Sequence, residues 1–83
     1  MNKKLINELT NDFDLFAATV NADTKVDYSG VEKNKLDAIA VATYLQMIDR
    51  IKMYKYPVNK VQAYDLYARM LDRAYRMERY GVN

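Results

Sequence analysis

Arginine and tyrosine residues are interspersed near the end of the chain in a pattern that could contact phosphate groups. The residues that form this pattern are Arg69, Arg73, Tyr75, Arg76, Arg79 and Tyr80. Guanidinium groups bind phosphate oxygens, and tyrosine rings stack on bases. Ten residues of helix extend about 15 Å, which is enough for several phosphates. A small nucleic-acid or nucleotide binder that uses Arg69, Arg73, Arg76 and Arg79 is therefore the alternative function that the sequence predicts.

Acidic residues among these arginines weaken that prediction. Asp65, Asp72 and Glu78 dilute the positive field, and a sequence pI near 8.8 is below the usual basic footprint of nucleic-acid binders. Arginines in the last turns of a helix also compensate the negative end of the helix dipole. We therefore interpret this region first as a solvated helix face.

Four aspartates in the first third of the chain could in principle bind a cation. They are Asp12, Asp14, Asp23 and Asp27. Their spacing does not reproduce the EF-hand order of ligands at positions 1, 3, 5 and 12 with Gly at 6. No metal site is predicted.

The residue types needed for catalysis are scarce. The chain has no histidine and no cysteine, which removes the commonest general base, the commonest metal ligand and the thiolate nucleophile. It also lacks a glycine-rich phosphate loop and a serine elbow. We expect no enzymatic activity and no cofactor.

Location is predicted from what the sequence lacks. The residues after Lys4 do not form the apolar core of a signal peptide, and the longest uncharged apolar run, 38–48, is well short of the ~20 residues that cross a bilayer. Together with the lack of cysteine, this favours a cytoplasmic protein.

Composition favours an all-α fold. Of 83 residues, 51% are apolar and 29% charged, with only two glycines and one proline, so few residues interrupt a helix. We predict one small domain with three helical parts, 1–28, 29–56 and 57–83. The last two parts should form a long antiparallel hairpin.

The N-terminal part contains a one-sided helical stripe, Leu5, Leu9, Phe13, Phe16 and Val20. Asn2 is a candidate cap for this helix. Because Thr10, Asn11 and Asp12 form helix poorly and cap it well, two short helices that meet near Asn11 are the alternative.

The second helix is expected to begin at a capping box, Ser29 to Glu32, and to run to about Lys55. Pro57 should end it, because proline disfavours helical geometry at the preceding residue. Leu45 and Met53 lie among the polar positions of this helix, which indicates a second packing partner for them.

A heptapeptide, Tyr-x-x-Met-[Ile/Leu]-Asp-Arg, occurs at Tyr44–Arg50 and again at Tyr67–Arg73. Positions one, four and five fall on one helix face. Both copies are therefore predicted to serve packing.

The third helix, from Val58 or Asn59 to Tyr80, carries a polar stripe with Asp65–Arg69 and Asp72–Arg76 as i,i+4 pairs. Two apolar seams flank this stripe. One is Val61, Tyr64, Ala68, Leu71 and Tyr75, and the other is Ala63, Tyr67, Met70, Ala74 and Met77. They cover roughly 240° of the helix, more than one core needs, and Gly81 is a natural stop.

The excess apolar surface predicts a protein interface. Tyrosine is enriched at interfaces, and methionine adapts to irregular surfaces. The predicted contact residues are Tyr64, Tyr67, Met70, Leu71, Tyr75 and Met77. We predict a non-enzymatic protein-binding or assembly factor that forms a dimer and binds another protein, such as a small phage-type accessory or inhibitor protein. A purely structural subunit of a larger assembly is a third reading.

Overall fold

The computed structural model describes residues 2–23 and 30–81, with only the backbone for residues 21–23, 79 and 80. These ranges contain α1 (Lys3–Asn11), α2 (Phe13–Asp23), α3 (Lys33–Met53) and α4 (Lys60–Tyr80), and no strand. The predicted all-α class and the C-terminal helical hairpin are confirmed.

Helices α3 and α4 form the hairpin and make the most extensive contact among the described helices. The six residues between them are too few for a crossover, so the helices run antiparallel. An ion pair of 3.1 Å between Lys35 Nζ and Glu78 Oε1 joins the start of α3 to the end of α4. The Glu78 carboxylate raises the pKa of Lys35 through this hydrogen-bonded contact.

The turn of the hairpin is fixed by local chemistry. Helix α3 ends at Met53, and the rings of Tyr54 and Tyr56 stack with centroids 5.0 Å apart. Helix α4 begins with a capping box, in which the Asn59 side chain accepts from the Gln62 amide and the Gln62 side chain accepts from the Asn59 amide. Gly81 ends α4 with a φ of 63°, a left-handed conformation that glycine adopts without strain.

The N-terminal part forms two short helices, as the second alternative predicted. Asp12 interrupts the helical run, although its amide still donates to the Glu8 carbonyl and its carbonyl accepts from the Phe16 amide. Because hydrogen bonding continues through this residue, α1 and α2 remain adjacent and cover the same side of the hairpin.

The prediction that Asn2 caps α1 is confirmed for its position but not for its side chain. Asn2 occupies the N-cap position but makes no side-chain capping bond. Its amide group donates to the carbonyls of Ile51 (3.3 Å) and Tyr56 (3.2 Å), and its carbonyl accepts from the Val58 amide (2.8 Å). A buried amide therefore joins the N-terminus to the turn of the hairpin.

Helix α3 begins later than predicted. Gly30, Val31 and Glu32 are not helical, and Glu32 is the N-cap without a side-chain capping bond. Ser29, the other half of the predicted capping box, lies outside the described residues. Because the backbone of Glu32 is extended, this residue cannot lie within the first turn of α3, where the predicted capping box placed it.

The core confirms the packing role of the heptapeptide. In the first copy Tyr44, Met47 and Ile48 are buried, and in the second Tyr67 and Leu71 are buried while Met70 is half-buried. The two tyrosine rings meet edge to face at 6.4 Å between centroids. The copies thus face each other across the hairpin.

The division of α4 into two seams is wrong. The buried stripe is Ala63, Tyr67, Leu71 and Tyr75, which takes members from both predicted seams. These residues recur every four positions because α4 lies against α3 along one continuous line. Val61, at one edge of the predicted surface, is 76% exposed.

Apolar side chains also remain at the outer surface of α3. Leu45 is 57% exposed and Met53 is 79% exposed, so the packing partner predicted for them is not found in the described part of the chain. Despite this apolar surface, none of the helices within residues 2–23 and 30–81 has the length and apolar character needed to cross a membrane.

Candidate functional site: a cationic groove along the hairpin

Three of the six predicted contact residues are inside the fold. Tyr67 and Leu71 are fully buried, and Tyr75 is 1% exposed. Their burial assigns them to the core of this chain, so the prediction that they form an external surface is corrected. Helix α2 and helix α3 supply the cover that the sequence pattern had attributed to a second molecule.

Tyr67 shows how this burial is stabilised. Its hydroxyl donates to the Ala40 carbonyl on α3 at 3.0 Å, and its ring stacks on Phe16 of α2 at 5.1 Å between centroids. Burial raises the pKa of the Tyr67 hydroxyl far above its usual value near 10. The residue therefore joins three helices as a neutral hydrogen-bond donor.

The other three predicted contact residues lie on two opposite sides of α4. Tyr64 is half-buried beside α2, where its ring meets Phe16 edge to face at 6.1 Å. Met70 is half-buried and Met77 is 42% exposed, and both line a groove between α3 and α4. Tyr64 is therefore separated from the two methionines and does not share their surface.

We call this depression the α3–α4 groove. It has a volume of about 580 Å³ and is lined by Ile39, Ala42, Thr43, Gln46, Arg50, Leu66, Arg69, Met70, Arg73, Ala74 and Met77. The lining residues extend over Ile39–Arg50 of one helix and Leu66–Met77 of the other, roughly 16 Å along each axis. This is the length of about three helical turns.

Among the described residues that line the groove, three are arginines, Arg50, Arg69 and Arg73, and none is acidic. Arg69 is 3.1 Å from Asp65, an exposed pair on its own helix. Within the described residues Arg50 and Arg73 form no ion pair. Two of the three guanidinium groups are therefore not paired with a carboxylate of the described residues.

Arg50 and the α3 wall of the groove were not among the predicted site residues. The signal for Arg50 was nevertheless present, because it ends the first copy of the heptapeptide just as Arg73 ends the second. The structure brings both arginines to one groove. The repeated heptapeptide therefore indicated a surface that α3 and α4 share, in addition to the core that they share.

The four arginines of the predicted nucleic-acid contact do not form one free cationic surface. Arg69 and Arg76 form the predicted pairs with Asp65 and Asp72, and the Arg76 Nε to Asp72 Oδ2 distance is 3.2 Å. Arg73 lines the groove, and the side chain of Arg79 lies outside the described residues. Exposed pairs of this kind contribute little stability, but they reduce the charge available to a phosphate backbone.

The residues that the structure describes contain no group of three or more acidic side chains that could hold a metal ion. Asp12 is exposed between α1 and α2 and Asp14 is exposed on α2, whereas the side chain of Asp23 and all of Asp27 lie outside the described residues. Neither Asp12 nor Asp14 lines the α3–α4 groove.

Comparison of the chain with protein-family models, with curated proteins and with solved structures found no match. The fold and its surfaces define the chain only as a small all-α helical hairpin domain.

Proposed function

We propose that this chain is a non-enzymatic protein-binding domain whose α3–α4 groove accepts an amphipathic helix of another protein. The observation that supports the proposal is the groove itself, which is about three helical turns long and combines apolar side chains with Thr43, Gln46 and three arginines. Helices lie in such grooves with their apolar faces inward. The adaptable side chains of Met70 and Met77 suit this kind of contact.

The occupant should carry acidic residues along one or both edges of its apolar face. Arg50 and Arg73 would meet those carboxylates near the rim, which increases both affinity and selectivity for an acidic partner. Basic helices would be excluded by like charge.

A second copy of this chain fits the groove less well than a foreign helix. In a two-fold symmetric dimer the same patch faces itself, so arginines would lie against arginines. We therefore favour another protein as the partner over the self-association that the sequence predicted.

The test is a selection of displayed 16-residue helical peptides against the intact chain. We expect enrichment of amphipathic helices with acidic flanks, and a loss of affinity of about tenfold or more when Arg50 and Arg73 are both replaced by Glu. Lys52→Glu is the matched control, because Lys52 is exposed on α3 but does not line the groove. Circular dichroism confirms that each variant folds.

Two outcomes would overturn the proposal. One is selected peptides that bind the double variant as well as the wild-type chain. The other is that no peptide is enriched, while a labelled single-stranded oligonucleotide binds tightly and its affinity falls steeply as the salt concentration rises. That result would assign the arginines to phosphate binding instead.

A further inference from the structure

A second depression lies on the other side of α4, among α1, α2 and the first turns of α4. We call it the N-terminal cleft. Its apolar walls are formed by Leu9, Leu15, Phe16, Val61 and Tyr64, and its volume is about 390 Å³. Tyr64 and Arg73 are about two and a half turns apart on α4, which places the cleft and the α3–α4 groove on opposite flanks of that helix.

The cleft leaves large aliphatic groups in water. Leu15 on one lip is 71% exposed, and Val61 on the other lip is 76% exposed. Between them lie Phe16 and Tyr64, whose rings meet edge to face at 6.1 Å. A hydrocarbon group placed here would bury Leu15 and Val61 beside the rings of Phe16 and Tyr64. Removing these aliphatic side chains from water would favour binding.

The size of the cleft favours a small molecule over a helix. From α4 it uses only Lys60, Val61 and Tyr64, little more than one turn. Its volume is near the lower end of the range of about 300–1,000 Å³ that is typical of small-molecule sites.

The charges at the edge of the cleft select for a cation. Lys60 Nζ is 3.7 Å from Glu8 Oε2, so these two charges face each other. Asp12 also lines the cleft and forms no ion pair within the described residues. Among the described residues, the edge therefore carries two carboxylates against one ammonium group.

We propose that the N-terminal cleft binds a small organic ammonium compound. Its hydrocarbon part contacts Leu15, Phe16 and Val61, and its ammonium group lies beside the Asp12 carboxylate. This site is separate from the α3–α4 groove, and either proposal can fail without affecting the other.

The experiment compares three probes that share one alkyl chain, namely n-octylammonium, n-octanol and n-octanoate. Each is titrated into the 15N,13C-labelled chain below its aggregation concentration, and the methyl signals of Leu15 and Val61 are followed by NMR. We expect n-octylammonium to bind about fivefold more tightly than n-octanol, which corresponds to a partly exposed ion pair, and n-octanoate to bind most weakly.

Two aspartate variants separate the role of charge from that of shape. Asp12→Asn should equalise n-octylammonium and n-octanol while leaving the affinity for n-octanol unchanged, and asparagine preserves the local turn because it caps helices as well as aspartate does. Asp14→Asn is the control, because Asp14 is exposed on α2 outside the cleft. The proposal is overturned if no probe shifts the cleft methyl signals, or if Asp12→Asn keeps the preference for n-octylammonium.

Discussion

At the scale of single residues, Asn2 joins the N-terminus to the turn of the hairpin. One buried amide satisfies two carbonyls and one amide at the turn of the hairpin. A local capping rule could not predict this role, because the partners are about fifty positions away in sequence. The capping rule therefore identified the N-cap residue correctly but not the groups that its side chain contacts.

Replacement of Asn2 by Ala should lower the free energy of unfolding by about 2 kcal/mol, because it leaves the Val58 amide and the Tyr56 carbonyl without this partner. Urea denaturation measures the change. Asn7→Ala, on the exposed side of α1, serves as the control and should cost less than about 0.5 kcal/mol. Equal effects of the two substitutions would show that the bonds of Asn2 contribute nothing specific.

The buried hydroxyl of Tyr67 should make the free energy of unfolding depend on pH. In the unfolded chain its hydroxyl ionises near pH 10, whereas burial raises its pKa in the folded chain. Above about pH 10 the unfolded state therefore binds fewer protons than the folded state, and the free energy of unfolding falls as pH rises. Below that pH the contribution is fully present.

The measurement is urea denaturation of wild type and Tyr67→Phe between pH 8 and about pH 11.5. The variant should be less stable by about 1 kcal/mol at pH 8, because it lacks the bond to Ala40, and should lose less stability at high pH. Tyr56→Phe, at a tyrosine that is 55% exposed, should follow the wild-type curve. Parallel curves for wild type and Tyr67→Phe would contradict this account.

At the scale of helices, Phe16 joins α2 to α4 through two ring contacts. Its ring stacks on Tyr67 and meets Tyr64 edge to face, whereas the adjacent Leu15 points away from the core and is 71% exposed. The sequence placed Phe16 in the apolar stripe and left Leu15 out of it. Periodicity therefore predicted which side of α2 packs.

Phe16→Ala should destabilise the chain by about 2 kcal/mol, less than a fully buried phenylalanine because the ring is half-buried. Leu15→Ala should change stability by less than about 0.5 kcal/mol. Hydrogen exchange of the α2 amides should accelerate in the first variant only. Similar destabilisation by both substitutions would mean that α2 packs through a different face.

Sequence patterns predicted the helices better than they predicted the helix surfaces. The breaker Pro57, the start of α4 near Asn59 and the stop at Gly81 were local signals, and the structure agrees with them. Which apolar side chains are buried depends on the neighbouring helices. The broad apolar arc of α4 therefore indicated a second partner, whereas α2 and α3 of the same chain cover most of it.

At the scale of the whole molecule, the fold has a covered and an open side. Helices α1 and α2 cover one flank of the hairpin, and the shortest dimension of 18 Å corresponds to two layers of helices. On the other flank the α3–α4 groove remains open and positively charged. A helix from another protein would complete a compact bundle there.

The most direct test of this account is to map where a selected acidic amphipathic peptide binds, using amide chemical-shift changes in the 15N-labelled chain. We predict that the largest changes occur at Ile39, Gln46, Met70 and Ala74, which line the groove, and that they disappear when Arg50 and Arg73 are both replaced by Glu. Changes centred instead on Leu15 and Val61, or spread evenly over the surface, would contradict the claim that the α3–α4 groove is the protein-binding site.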